Sequence, residues 1–518
     1  MIASANVPRS KFMGSWTRKS TFDAGYVIPF MVDEILPGDH MRYNVQAYLR
    51  MATPLFPIYS SQRCDTFFFF VPCRLLWQDW TKFMGEQDLP TSSIAYTIPV
   101  VTMPNGGFAV GELFDHFGLP TVGQVTAGQA HDVSALPARA YRLIMHQWFR
   151  DENIQDWGAS TLIGAGPDAV GSFPLRRRGK SHDYFTSCLP WPQKFTAPAA
   201  LGTSAPVIGL AVTNPPPAAA GGGSVQETPS TQYPTGIRTY GYAHDSVTDV
   251  FYMESNIAGV PQIFADLSAV SVNVLRQSFM VQSLLERDAR GGTRYTELVK
   301  SHFGVTSPDA RLQRSEYIGG GSTPLVVTPV AQTATGGGGV GALGAAATAA
   351  GQHSASYAAT EHGYILGLIN IRSELSYSQG LHKMWTRSTR YDFYWPSLAM
   401  LGEQAVLRKE LYCNGVNADD DTVFGYQERW HEYRTRVNEV VGLFRPTSAG
   451  NIDEWHLSQQ LAAAPALNDT FMQDNPPMSR ILAAGASTNQ QYLADIHIRR
   501  EATRPIPMFG TPATLGRF

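Results

Sequence analysis

Charge is scarce in this chain. Lys, Arg, Asp and Glu make up 16% of its 518 residues, against about 25% in an average globular domain. So little charge suits a protein that gives much of its uncharged outside to contacts. The signs nearly balance, at a formal net charge of −3. That excludes a bulk neutraliser of nucleic acid and confines any phosphate contact to local patches. Cysteine is nearly absent. Cys64, Cys73, Cys188 and Cys413 form no C-x-x-C pair, and Cys64 and Cys73 flank one extended run, beyond disulfide reach. Reduced thiols are expected. No run of some 20 apolar residues exists, so no membrane span is expected. Pro8, Arg9 and Lys11 interrupt the N-terminus before a signal-peptide core forms, and soluble synthesis is expected.

Chemical constellations are missing too. His431-Glu432 would need a second histidine where Thr435 stands to bind zinc. Gly179-Lys180-Ser181 ends like a phosphate-binding loop, but Pro174 occupies the place of its first glycine. Gly336, Gly338 and Gly341 fit G-x-G-x-x-G, with Glu361 downstream, yet no alternation of strand and helix surrounds them. Asp419, Asp420 and Asp421 read as a solvated acidic turn sooner than a calcium site. No carboxylate pair such as Glu34 and Glu112 stands out, and His131-Asp132 and His182-Asp183 are merely adjacent in sequence. No catalytic residue, cofactor or metal ligand is therefore expected. The rival reading is a carbohydrate-active β-sandwich enzyme or carbohydrate-binding module.

What the chain does have is aromatics, at 11%, with 47 glycines and 34 prolines. Phe67, Phe68, Phe69, Phe70 and Val71 form one β-prone core run ended by Pro72. Successive side chains of a strand point to opposite faces, so both faces of this strand need cover. Its own long loops or a neighbouring subunit must supply it, because each large apolar side chain gains about 1.5–3 kcal/mol on burial.

Residues 1–20 read as a basic arm, with Arg9, Lys11, Arg18 and Lys19 interleaved with Phe12 and Trp16 and no acid. Such an arm either tracks a nucleic-acid backbone or packs on a neighbour. Residues 24–32 and 41–49 read as strands about the turn Pro37-Gly38-Asp39, and 138–154 as an amphipathic helix. Arg176, Arg177, Arg178 and Lys180 form a second basic cluster. Residues 195–262 are weakly acidic and rich in Pro, Gly and Ala, which predicts an exposed insertion. Helices are predicted over 271–290 and 293–303, a Gly-rich loop over 319–360, and strands over 363–375 and 390–396. The core is thus expected in two parts, 21–194 and 263–500, followed by a basic tail over 501–518. Arg499, Arg500 and Arg504 extend that basic end.

Several stretches resemble one family. They are TFDAGYVIPFMVDEILPGD (Thr21 to Asp39), ATPLFP, DTFFFFVP, HDYFTS.LPWPQK and FGYQERW.EYR (Phe424 to Arg434). The most specific is LLERDARGGTRYTELVKSHFGVTSPDARLQRSEYIGGG (Leu284 to Gly321). The chain resembles the major capsid protein of gokushovirus-type Microviridae, small icosahedral single-stranded DNA bacteriophages, from about residue 8 to 510. The resemblance implies a mainly β fold, an eight-stranded antiparallel jelly roll with long loop insertions and a few helices. It implies identical subunits closing into a shell around a circular single-stranded DNA genome. It also implies a small basic DNA-binding viral protein, a bacterial host receptor met by the 195–262 insertion at the threefold axes, and location in the virion after synthesis in the host cytoplasm. The DNA-contact candidates are then Arg9, Lys11, Trp16, Arg18, Lys19, Arg176, Arg177, Arg178, Lys180, Arg499, Arg500 and Arg504.

Overall fold

The computed structural model describes residues 8–89, 91, 93, 95–158, 162–194, 223–227, 238–245, 250–255, 272–331, 343–483 and 489–509. Eight long strands build one antiparallel sheet. They are β1 (Ser10–Phe22), β2 (Ile28–Ile35), β3 (His40–Met51), β4 (Gln62–Pro72), β5 (Glu316–Ala331), β6 (Leu343–Ala358), β7 (Gly363–Ser373) and β8 (Tyr492–Arg504). Their order is β1-β8-β3-β6-β5-β4-β7-β2. First pairs with last, second with seventh, third with sixth and fourth with fifth. That is one antiparallel ribbon rolled on itself, the jelly roll, and the sheet curls into a nearly closed barrel.

Alternation sorts the side chains. In β3, Met41, Tyr43, Val45, Ala47, Leu49 and Met51 point into the barrel, while Arg42, Gln46, Tyr48 and Arg50 point out. The Phe strand is buried on both sides. Phe68 and Phe70 enter the barrel core with Ile365 and Ile369. Phe69 and Val71 face outward into a second apolar layer with Trp77, Phe114, Tyr141 and Leu143. The cover is therefore the chain's own segment between β4 and β5, not a neighbouring subunit. Within that segment α1 (Leu136–Ile144) passes into a wider turn over Met145–Phe149, so the helix is shorter than the predicted 138–154. Arg139 anchors the layer, buried and paired with Asp168 at 2.7 and 2.8 Å, and also donating to the Leu76 carbonyl at 3.0 Å.

Three expectations need correction. Residues 319–360 are not a loop: they form most of the β5–β6 hairpin, whose tip, with the G-x-G-x-x-G pattern, lies outside the described residues. The glycines serve close approach. A Cβ on Gly320 would stand 2.2 Å from the Thr66 carbonyl oxygen of β4, and one on Gly351 would stand 2.0 Å from Thr323 Oγ1. The alanines Ala347 and Ala349 point into the barrel core. The described parts of the basic ends are strands of the barrel and not separate arms, since Ser10–Phe22 and Tyr492–Arg504 pair along their whole length. Residues 390–396 contain short 3₁₀ turns and no strand.

Two compact units divide the chain: Met1–Pro192 with Ala289–Phe518, and Gln193–Asp288. The second contains the segment 195–262 and includes a three-stranded antiparallel sheet, Gly223–Glu227, Arg238–Asp245 and Val250–Ser255. The helix α2 (Val272–Gly291) leads back into the first unit, where α3 (Tyr295–Phe303) follows. No described helix is long and apolar enough to cross a membrane.

Candidate nucleic-acid and subunit interfaces

Among the described residues, half of the barrel has no second layer. The outward side chains of β1, β8, β3 and β6 form a bare polar face, and the register brings distant cations together on it. Ser15 pairs with Arg499, Lys19 with Asp495 and Leu493 with Arg50. Lys11, Lys19, Arg42, Arg50 and Arg499 all point outward and are exposed. Lys11 meets Glu501 at 3.2 Å, and Arg499 meets the same carboxylate at 3.4 Å. Exposed pairs of this kind contribute only about 0–1 kcal/mol and yield readily to another anion. Lys19 and Arg50 have no ion pair among the described residues. Two adjoining concavities, of about 570 and 490 Å³, share Tyr48 and Asp495; Lys19 and Arg50 line the first, Gln46, Gln352 and His497 the second. An exposed tyrosine ring beside flexible cations and amides is able to stack a base and hold its phosphates. Asp495 opposes an anion locally.

The other cationic candidates have partners within the chain. Arg9 lies against the turn at Gly38. Trp16 packs on the barrel core with the Arg500 guanidinium 5.6 Å from its ring centre, and Arg500 holds Asp33 at 2.9 and 3.0 Å. Arg18 donates to the His116 carbonyl, and burial pulls its pKa down, opposed by Asp115. Arg504 donates to the Glu34 carbonyl at 2.7 Å and pairs with Asp39 at 3.4 Å. Arg176 lies over Trp157, Arg177 over Tyr26, and Arg178 pairs with Asp65 at 2.6 Å. Lys180 is 7% exposed with its ammonium 4.2 Å from the Phe471 ring centre. Burial pushes its pKa down to about 8, opposed by Asp474 and Asp183. The run Arg176 to Lys180 looks cationic in sequence and is woven into aromatic and acidic partners in the fold. Arg42, Tyr48, Arg50 and His497 escaped the sequence reading, although strict alternation over 40–51 marks every second residue there as outward.

Asp474 sits against this weave. Neither of its carboxylate oxygens accepts a hydrogen bond among the described residues. Burial pushes its pKa up to about 6, opposed by Arg372 and Lys180. Between pH 4 and 6 the folded chain therefore binds more protons than the unfolded chain, and stability falls as pH rises. Asp474→Asn should show an advantage over the parent that grows from pH 4 to 6 and then levels, read as urea midpoints at each pH. A difference constant with pH would refute the assignment.

Carboxylates from the motifs weighed in the sequence have partners within the fold. Asp183 accepts from the Thr186 amide at 2.8 Å and from the Tyr377 hydroxyl at 2.6 Å. Glu432 accepts from Arg387 at 3.0 Å and Gln404 at 2.7 Å. Glu361 takes Arg74 at 2.6 and 3.1 Å. Asp420 accepts from the Gly415 amide at 2.9 Å, within its own turn.

A different surface is apolar. Between β7 and β8 the segment 384–401 exposes Trp385 (70%), Tyr391 (67%), Phe393, Tyr394, Trp395 and Met400 (97%). The patch is braced: Tyr394 meets Trp430 edge-on at 5.6 Å and Tyr433 at 6.3 Å. Arg387 lies over Tyr433 at 4.4 Å, and Arg390 over Trp395 at 4.8 Å. Rigid Trp, Tyr and Arg side chains together are the composition of interface hot spots, and water alone is a poor neighbour for them.

Known proteins match this chain along nearly its whole length. The family model described as "Capsid protein (F protein)" matches residues 1–514. The chain is 43% identical over 534 residues to capsid protein VP1 of Bdellovibrio phage phiMH2K, covering 100% of this chain and 97% of that one. It is 35% identical to capsid protein VP1 of Chlamydia phage 1 and 33% identical to that of Spiroplasma virus 4, each over 99% of this chain and 96% of the relative. Nothing in these relatives favours the carbohydrate-active reading.

Proposed function

Because the chain belongs to the phage capsid protein (F protein) family, we propose that it is the major subunit of an icosahedral shell whose bare barrel face meets a circular single-stranded DNA genome. The subunit contact is assigned to the aromatic patch over 384–401. Identical copies bury it against one another around closed symmetry axes, and modest energies per contact multiply over the shell.

The observation that carries the genome reading is the convergence of Lys11, Lys19, Arg42, Arg50 and Arg499, from both chain ends and β3, on the half of the barrel that the described residues leave uncovered. A net charge of −3 has the same sign as the phosphates of a genome and balances none of them, which supports a small basic viral protein as a further partner. The finer location follows: the virion, after synthesis in the bacterial cytoplasm.

The test is the combined variant Lys19→Gln, Arg50→Gln, Arg499→Gln. Each lost phosphate contact lowers the slope of log affinity against log salt by about 0.7 for a single strand. Binding of a thymidine oligonucleotide should therefore lose about 2 from that slope, while shells still form. An unchanged slope would reject this face as the genome contact. The separately compact unit Gln193–Asp288 is assigned to the host receptor. Deleting 200–250 should leave shells that no longer adsorb to the host, and undiminished adsorption would remove the assignment.

A further inference from the structure

A second cationic site lies away from the bare face. A cleft of about 1040 Å³ opens beside the start of β4 and the end of β7, lined by residues of the first compact unit. Eight of its lining residues are Lys or Arg and three are acidic. At one end, three guanidiniums converge on a single carboxylate: Arg178, Arg372 and Arg63 stand 2.6, 3.5 and 3.7 Å from Asp65 Oδ2. One carboxylate neutralises one of three. Lys180 adds a fourth cation, offset by Asp474. The Nε of Arg372 is buried with no hydrogen-bond partner among the described residues. At the other end Arg294 pairs with Glu152 at 2.8 Å and Glu297 at 2.9 Å, and Arg150 reaches Glu152 only at 3.7 Å. The Nε of Arg150 is likewise buried and unpartnered, and Lys300 is exposed on the rim with no ion pair among the described residues.

Cations held together at such density repel one another. An anion that accepts from several at once would relieve the repulsion and satisfy the idle guanidinium donors. Guanidiniums present parallel N–H pairs that match phosphate oxygens. The space far exceeds one phosphate, and the cations fall into two groups with Trp148 and Phe149 along the wall. A ligand with one charged group would leave the second group unserved. We propose that this cleft binds phosphate groups, taking a ligand that carries at least two of them. Two sources offer that chemistry, a nucleic-acid backbone and a free condensed phosphate. The inference stands apart from the genome contact on the bare face, which uses none of these residues.

The full-length chain would be titrated calorimetrically with inorganic pyrophosphate and with a ten-thymidine oligonucleotide. The variant is Arg63→Gln with Lys300→Gln, two side chains at solvent whose loss leaves the buried cluster intact. Saturable pyrophosphate binding is expected, weakened at least ten-fold in the double variant and unchanged in Lys19→Gln, Arg50→Gln, Arg499→Gln. Competition between pyrophosphate and oligonucleotide would identify the backbone source, and binding of pyrophosphate alone the free one. Absence of saturable pyrophosphate binding, or full affinity in the Arg63→Gln, Lys300→Gln variant, would overturn the proposal.

Discussion

Replacing Trp385 and Met400 together by aspartate is expected to leave a folded chain that no longer closes into shells. Both side chains stand outside the barrel and its second layer, and neither is among the buried residues of the three apolar clusters. Their loss should leave folding intact, and circular dichroism should match the parent. Association is another matter. A central apolar anchor typically contributes 2 kcal/mol or more to an interface, and an unpaired carboxylate forced into the same contact adds a desolvation cost. A loss of about 2 kcal/mol at one contact weakens it roughly 30-fold. Every subunit repeats the contact, so the concentration needed for closure rises steeply and assembly fails as a whole. Negative-stain images and sedimentation should show small species only. Val110, 66% exposed in another part of the first unit, supplies the control: Val110→Asp should assemble normally. Normal shells from the double variant would take the 384–401 patch out of the assembly.

How much of this was readable in the sequence depends on the range of the interaction. The Phe67 to Val71 run declared its own burial on both faces, because strand geometry turns a local pattern directly into two buried surfaces. It did not say who covers them, and on the outer face the answer came largely from residues far along the chain: Phe114, Tyr141 and Leu143. The strands β5 and β6 were illegible for a related reason. Glycine and alanine lower strand propensity and mimic a loop, yet Gly320 sits where a side chain would strike the Thr66 carbonyl. Only the register of β5 against β4 reveals that requirement. The face proposed for the genome suffered from the same limit. Arg499 and Ser15 are neighbours by pairing, not by sequence, and the more conspicuous run Arg176 to Lys180 was drawn into partners such as Asp65, Tyr26 and Phe471 that lie elsewhere in the chain. Family resemblance carried the topology across these gaps, since propensity and alternation stop at the single strand.

The sharpest test of that two-sided burial is a pair of truncations, Phe68→Ala and Phe69→Ala, each expected to cost about 3–5 kcal/mol. The residues are adjacent and serve different cores. Phe68 meets Phe30 edge-on at 5.8 Å and lies parallel to Tyr43 at 6.5 Å inside the barrel. Phe69 meets Trp148 at 5.4 Å and Tyr317 at 5.5 Å on the outside. Urea midpoints would be measured in the Trp385→Asp, Met400→Asp background, so that shell formation does not mask the stability of one chain. Phe67 is only partly buried, against Phe149 at 5.2 Å and under the Arg178 guanidinium at 4.9 Å. Its truncation should cost less than either neighbour. Equal penalties at Phe68 and Phe69 mean that a lone subunit completes both layers before it meets another, leaving the aromatic patch as the surface that needs a partner. A Phe69→Ala penalty below about 1 kcal/mol in that background, beside a full one for Phe68→Ala, would mean that the outer layer tightens only on assembly. The apolar drive to build a shell would then sit on β4 as well as on the segment 384–401.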